Sequence, residues 1–583
     1  MRRLAALLLT FSLLAPVSAR AAFPTFTRAN VSANLQYTHT LTANFSFRRF
    51  FAIGPAAADF DRDGDIDVFI PQAYDFPDAL YCNNGDGTFT EAAAAAGLAG
   101  LGEARAALWI DYDNDGLLDL FVANDPDAPA GQQQTDPLTT HNLLYRNLGD
   151  GTFTDVSALS GVAQMPNPQT DQTVGGVAAA DINNDGLLDI YVSCWGCENA
   201  LFLNNGTTFA EIAVAAGVVE PGTSWTPMFY DVNGDGWADL LLNMDFGPNR
   251  LFINQQDNTF VDMAPAVGFD TAFNEMGMAI GDYDNDGDFD VLATNVETPY
   301  PNGDPLTKYT VLLQNGSLSG SPAFTEIAQT VGVARTGWGW GCTWADCDND
   351  GWQDLFVTNG FHQTNDYLTD PSRCFLNNGS GTFTEASAQV GFDNTKRGRG
   401  LIAFDYDLDG DLDLLETNYG DTADLFRNDT TSSGNWIAID LIASGPGNRF
   451  AVGAELSVTA GALTQKRLIT AGNSFLSQEP YRAFVGLGQA ASVDNIHIRW
   501  PDGTQQDVAN VRANRVATIK EGAGLLPDLN LDGNFDGEDV AIFVQVLLGQ
   551  DSDPMRGIIS DINTDGTADT ADIAPFVARL VVP

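Results

Sequence analysis

Acidic side chains recur in this 583-residue chain at intervals that suit one chemistry, the holding of a hard dication. In "DYDNDGLLDL" they stand at Asp111, Asp113, Asp115 and Asp119, with Gly116 between the third and fourth. Calcium takes six to eight oxygen ligands and needs a sharp turn to gather them. Carboxylates at positions 1, 3, 5 and 9, with a backbone carbonyl at position 7, converge on one point, and glycine at position 6 permits the turn. A ligand set this large and flexible suits calcium better than magnesium.

An EF-hand loop would close with an acid at position 12 and run into a helix. Here position 12 is Val122, and the residues after Asp119 are the strand-like "LFVAN". The loop therefore joins two strands, and Asp119 takes the part of the twelfth ligand.

The motif occurs seven times, at intervals of 50 to 70 residues. Besides the copy above there are Asp59, Asp61, Asp63 and Asp67; Asp181, Asn183, Asp185 and Asp189; and Asp231, Asn233, Asp235 and Asp239. The last three copies are Asp282, Asp284, Asp286 and Asp290; Asp346, Asp348, Asp350 and Asp354; and Asp405, Asp407, Asp409 and Asp413. Asp, Asn and Gly favour turns for reasons unrelated to metal. That explains one copy, but not seven with Asp always at position 9.

The flanks repeat as well. A small, apolar run precedes each loop and a strand-like run such as "LDLFVAN" follows it. Next come a strand ending in Asn ("NLLYRN", "ALFLNN", "RCFLNN"), a Gly-rich turn and "TFTE" or "TFTD". Asn-Gly and Asp-Gly between β-rich runs signal hairpins. Four short strands per unit, repeated at this period, indicate a propeller or solenoid. A closing strand of Phe, one further residue and an acid (Phe-Thr-acid in four copies) follows six of the seven loops, and "FPTFTRAN" at the N-terminus supplies the seventh. Closure by that strand would remove an exposed edge.

The repeat resembles the FG-GAP and VCBS-type repeats of integrin α-subunit propellers and of many secreted bacterial proteins. The resemblance implies a seven-bladed, calcium-stabilised β-propeller over residues 22–430. Residues 431–523 resemble an ASPIC/UnbV domain through Gly453-Ala454, Gly472, Ser477-Gln478, Gly486-Leu487-Gly488 and Trp500-Pro501-Asp502-Gly503. That domain implies no defined chemistry.

In residues 524–583 the acids return in another frame. Asp528, Asn530, Asp532, Asp536 and Asp539 occupy positions 1, 3, 5, 9 and 12, as do Asp561, Asn563, Asp565, Asp569 and Asp572. Apolar residues at helical spacing follow each set. The pair resembles a type I dockerin, which implies two calcium ions and docking on a cohesin-like partner. Such docking runs partly through loop positions 10 and 11, here Gly537-Glu538 and Thr570-Ala571 in place of the common Ser-Thr. The expected fold class is thus mainly β: a seven-bladed propeller, a small β-rich domain and a small α-helical paired EF-hand-like module.

Composition agrees. Against 77 acids stand 27 Lys and Arg, a formal charge of −50, which nine Ca²⁺ at two charges each would bring to about −32. So acidic a chain excludes nucleic acid as a partner, since affinity there comes from neutralising phosphates. Residues 1–21, with Arg2, Arg3 and the apolar run Leu4 to Val17, read as a secretion signal, and no other stretch is long enough to span a membrane. The expected location is extracellular or at the cell surface. Six cysteines are then free to oxidise. "CWGC" at Cys194 and Cys197 reads as a local disulfide rather than a redox motif. Four unpaired histidines make zinc a poor candidate.

No nucleophile–base constellation accompanies the acids, so no catalytic residue and no organic cofactor is assigned. The acidic loop and the turn between strands three and four share one face. Long insertions (124–142, 295–309, 359–373) fall on the other, with Trp338 and Trp340 near it as either sugar-stacking or core residues. The leading expectation is a calcium-binding recognition or adhesion protein for an extracellular protein or glycan, tethered by its C-terminus. The alternatives are a polysaccharide lyase or hydrolase and a purely structural assembly component.

Overall fold

A computed structural model describes residues 23–40, 51, 53–72, 76–100, 102–125, 141–163, 165, 173–298, 307–316, 321–361, 367–430, 434–445, 447–525, 537–548 and 550, and near the C-terminus 560, 568, 570, 572, 573, 576 and 577. The expected secretion signal and most of the expected C-terminal calcium-loop ligands lie outside these residues. Among the described residues no helix is long and apolar enough to cross a membrane.

The chain is mainly β. The first acidic repeat forms an antiparallel sheet of Ala56–Ala58, Asp67–Ile70, Ala79–Asn83 and Phe89–Glu91, in sequence order. The next five repeats do the same, beginning with Ala104–Ile110, Thr173–Ala180, Pro221–Tyr230, Met278–Gly281 and Gly339–Ala345. The third and fourth sheets are joined edge to edge where Trp195 pairs with Thr223. The seventh repeat supplies Gly398–Phe404, Asp413–Asn418 and Asp424–Asn428. Its fourth strand is the N-terminal Phe26–Arg28, with Phe26 opposite Asn428, so the expected closing strand is found in place. Each of the first six sheets ends in a single helical turn, such as Ala93–Ala96, stopped by a left-handed glycine, Gly97.

Side chains bond neighbouring sheets at both ends of the strands. At the acidic-loop end, the Asn closing strand three donates to the carbonyl of loop position 2 in the preceding sheet. The pairs are Asn147 to Phe60, Asn204 to Tyr112, Asn254 to Ile182, Asn377 to Tyr283 and Asn428 to Cys347. Asn83 donates to Tyr406 at 2.8 Å and so joins the first sheet to the seventh. At the far end, Ser193 bonds Trp225, Thr294 bonds Trp340, Thr358 bonds Arg399, and Thr417 bonds Ile53 of the first sheet. The first strands are small-residue-rich because backbones meet there. A Cβ on Gly277 would stand 2.1 Å from the Trp340 carbonyl.

After the seventh sheet come two more four-stranded sheets. One orders Arg482–Gly488, Asn435–Ile442, Val516–Lys520 and Gly524–Leu525; the other orders Leu463–Leu468, Glu455–Ala460, Ser492–Arg499 and Gln505–Arg512. The segment 471–479 between them reaches in among the first strands and bonds all seven sheets. Ala471 accepts from Ala179, and the Ser474 carbonyl accepts from Met278 and from the Thr226 hydroxyl. The Ser474 hydroxyl accepts from Cys342, Gln478 donates to Pro55 and brackets Trp109, and Glu479 accepts from Ala403. Gly54 is required on this path, since a Cβ there would lie 2.3 Å from the Leu476 carbonyl.

Asn147→Ala should remove its bonds to Phe60, Leu118 and Gly149 and leave buried carbonyls unmet. The expected loss is about 2–4 kcal/mol in denaturant unfolding. The same change at exposed Asn205 should stay within about 0.5 kcal/mol.

Candidate metal centres

Each acidic loop is set by the two strands it joins and by two left-handed residues. Position 6 is glycine throughout, with φ between +85° and +95°, and position 4 also has positive φ, for example at Asn114, Asn184, Asn285 and Asn349. Asn is the common choice there because it tolerates this conformation. These Asn side chains donate to the position-6 carbonyl of the following loop (Gly186, Gly236, Gly351 and Gly410), so adjacent loops are tied edge to edge.

Within a loop the carboxylates divide by role. The position-1 Asp accepts from the position-6 amide in all seven, as at Asp111 and Gly116 (2.9 Å). The position-9 Asp is buried in every loop. One oxygen accepts from the strand-three Asn amide, Asn147 to Asp119 at 2.8 Å, and the other accepts from the position-2 amide in six loops. In the fifth loop Asp290 Oδ2 has no hydrogen-bond partner. The strand-three Asn is the residue whose role is not apparent from the acid spacing. Its signal was its repetition at the end of "LLYRN", "LFLN" and "CFLN".

In five loops carboxylate oxygens from three residues lie within 4.8 Å of one another. These are Asp59, Asp61 and Asp67; Asp111, Asp113 and Asp115; Asp282, Asp284 and Asp290; Asp346, Asp348 and Asp350; and Asp405, Asp407 and Asp413. Asp63, Asp119, Asp286, Asp354 and Asp409 belong to the same loops but not to these groups of three. In the third and fourth loops Asn183 and Asn233 take position 3, donating to Asp185 (2.9 Å) and Asp235 (3.2 Å) beside Asp181, Asp189, Asp231 and Asp239.

These sites fit a hard cation. Buried oxygens of Asp59, Asp111, Asp282, Asp284, Asp290 and Asp407 have no hydrogen-bond partner. Leaving buried anionic oxygens unmet is costly, and a divalent ion with oxygen preference would meet them. Burial, reinforced by neighbouring carboxylates, pushes Asp111 and Asp282 up to about 7, Asp405 to about 8 and Asp290 to about 9.

The turn between strands three and four lies beside the acidic loop. Arg146 pairs with Asp113 (2.7 Å) and Asp115 (2.9 Å), and Gln256 donates to Asp235. The C-terminal β unit packs on this same side and brings cations to it. Arg499 pairs with Asp231 at 3.0 Å, and the charge of Arg482 favours the ionised forms of Asp59 and Asp405. The Asn448 amide donates to the side-chain oxygen of Asn114, and the Gly488 amide donates to the Asn349 carbonyl.

Of the C-terminal ligands, Asp528, Asn530, Asp532, Asp536, Asp561, Asn563, Asp565 and Asp569 lie outside the described residues. Asp539 and Asp572 are fully buried. Phe543 and Phe576, each four residues further on, stack at 3.8 Å and 4°. The expected local disulfide joins Cys194 and Cys197. Trp340 is core, packed on Trp225 and Phe475, whereas Trp338 is half-buried against Phe361.

Comparison with known proteins places this geometry among relatives. Residues 59–122, 123–192, 231–293 and 361–416 match an FG-GAP-like repeat, and residues 445–525 match ASPIC and UnbV. Cartilage acidic protein 1 of Mus musculus is 25% identical over 505 residues, covering 80% of this chain and 73% of the relative. The Homo sapiens protein is 26% identical over 444 residues, covering 70% and 62%. The solved BP39L lectin of Burkholderia pseudomallei is 11% identical with a TM-score of 0.40, covering 66% of this chain and 98% of that one.

Because Asp111, Asp282, Asp290 and Asp405 have raised pKa values in the folded chain, they weaken it as pH rises from their unfolded range near 4 toward 9. Metal-free protein should therefore melt higher at pH 5.5 than at pH 8. Excess calcium, which needs ionised carboxylates, should reverse the order. Scanning calorimetry of both forms at both pH values checks this; the same order with and without calcium would contradict it.

Proposed function

We propose that this is a secreted, calcium-stabilised recognition protein. Its seven sheets act as the blades of a propeller, each acidic loop holds one calcium ion, and the C-terminal β unit caps the metal-bearing face. The observation that carries this reading is the set of buried carboxylate oxygens that lack hydrogen-bond partners in the first, second, fifth and seventh acidic loops. Oxygen-only donors in a loop with two left-handed turns favour calcium.

With one face occupied by metal loops and the cap, the other is left for a partner. Strand two starts at the acidic loop, so its far end lies on that other face. There the described ends of the long connections, Asp125 and His141, Thr298 and Thr307, and Phe361 and Tyr367, are held by the sheets. Connections carried on a rigid scaffold are the usual place for recognition. The similarity to FG-GAP-like repeats and to ASPIC and UnbV supports binding of an extracellular protein or glycan rather than turnover of one.

The C-terminus is proposed as a dockerin-like tether holding two further calcium ions. The buried Asp539 and Asp572, the stacked Phe543 and Phe576, and the exposed Val544 (46%) and Val577 (44%) stand at equal intervals. That spacing gives a duplicated, two-fold-like apolar surface for a cohesin-like partner.

Capture from the native extracellular medium tests both parts, using the full chain and a chain lacking residues 524–583, each with and without chelator. Partner capture by both chains, lost with chelator, is expected, with one further partner confined to the full chain. Capture that is insensitive to chelator would contradict the calcium-stabilised scaffold. An identical set of partners with and without the tail would contradict the tether.

A further inference from the structure

We infer that the face away from the acidic loops carries a site for a neutral saccharide, centred on Phe246 and Trp195 with Asp245, Asn274 and Lys308 as its polar groups. The inference rests on the recognition reading above and gives it a location and a ligand class. The starting observation is Phe246. It is 73% exposed and has φ +62°, a conformation that bulky side chains disfavour. Neither its exposure nor its backbone serves stability, and strain of this kind gathers at functional positions.

The backbone around it is fixed. Phe246 donates to the Phe273 carbonyl at 3.1 Å, Asp245 donates to Thr223 at 2.7 Å, and Asp245 bridges to Asn274. The left-handed backbone at Phe246 is therefore held by main-chain bonds on both sides.

Three polar side chains line up there. Lys308 Nζ donates to Asn274 Oδ1, Asn274 Nδ2 donates to Asp245 Oδ1 at 2.7 Å, and Trp195 Nε1 donates to Asp245 Oδ2 at 3.1 Å. Trp195 is half-buried, sits inside the Cys194–Cys197 disulfide loop with left-handed Gly196, and stacks on Trp225 with ring centres 6.5 Å apart. The disulfide thus positions an indole at the rim. Phe273 and Tyr309, both half-buried with ring centres 5.8 Å apart, continue the aromatic surface.

A sugar ring offers an apolar C–H face and an edge of hydroxyls that both donate and accept. The exposed ring of Phe246 suits the first, and a carboxylate, an amide and an ammonium in one row suit the second. The carboxylate and ammonium offset each other's charge, which favours a neutral sugar over an acidic or basic one. A peptide ligand would instead use a free strand edge or an apolar groove.

The test is binding of the full, calcium-loaded chain to an array of neutral glycans, with Phe246→Asn and Phe246→Tyr as variants. Phe246→Asn should lower binding at least 10-fold while leaving the melting temperature unchanged or higher, since Asn accepts this backbone conformation. Phe246→Tyr should keep binding. Equal glycan binding by Phe246→Asn and the parent would overturn the site. If no glycan binds while a protein partner is still captured, the saccharide proposal fails and the recognition reading stands.

Discussion

One buried carboxylate per repeat, the ninth residue of each acidic loop, is the constraint on which the rest of the structure depends. In six of the seven loops it closes the hairpin by accepting the position-2 amide, and in all seven it ties the loop to strand three by accepting the Asn backbone amide. The same Asn then uses its side chain to hold the preceding sheet, as Asn147 does with Phe60 and Asn83 with Tyr406. A local turn is thereby converted into a contact between sheets, made at six junctions including that of the seventh sheet with the first. Because the partners are buried and polar, losing one leaves others unsatisfied, which makes the arrangement cooperative.

That arrangement concentrates negative charge on one side. Like charges this close raise one another's pKa and oppose compaction. Three features of the fold answer the repulsion: amides at each loop's tight turn, arginines of the C-terminal β unit such as Arg499 and Arg482, and, we propose, calcium. The segment 471–479 adds a mechanical tie, because one short stretch bonds all seven sheets. Its left-handed Ser474 and Leu476 show the backbone bending to fit that space. The acidic loops and the docking of the C-terminal unit are accordingly parts of one electrostatic arrangement.

The acidic loops, the four-strand repeat, the closing N-terminal strand and the Cys194–Cys197 bond were legible because each is local or periodic. The strand-three Asn was visible as a repeat, but its role was not, since its second partner lies 72 to 94 residues earlier (Tyr112 for Asn204) or, at Asn83, in the last sheet. The position-9 Asp was read as a ligand. Its hydrogen bonds show a hairpin lock as well, a distinction that spacing cannot express. The insertion of "AGNSFLSQE" among the first strands was illegible, because nothing in its composition marks a partner more than 350 residues away. Trp340 was ambiguous for the same reason: burial of a Trp depends on Phe475 and Trp225, which come from distant segments.

The central claim is that these loops are occupied cation sites and not merely acid-rich turns. Its most direct test is equilibrium dialysis of the full chain against calcium at neutral pH, followed by metal analysis of the protein. The account predicts seven tightly held ions per chain in the acidic repeats and up to two more at the C-terminus. Fewer than five, the number of loops that bring three carboxylates together, would contradict it.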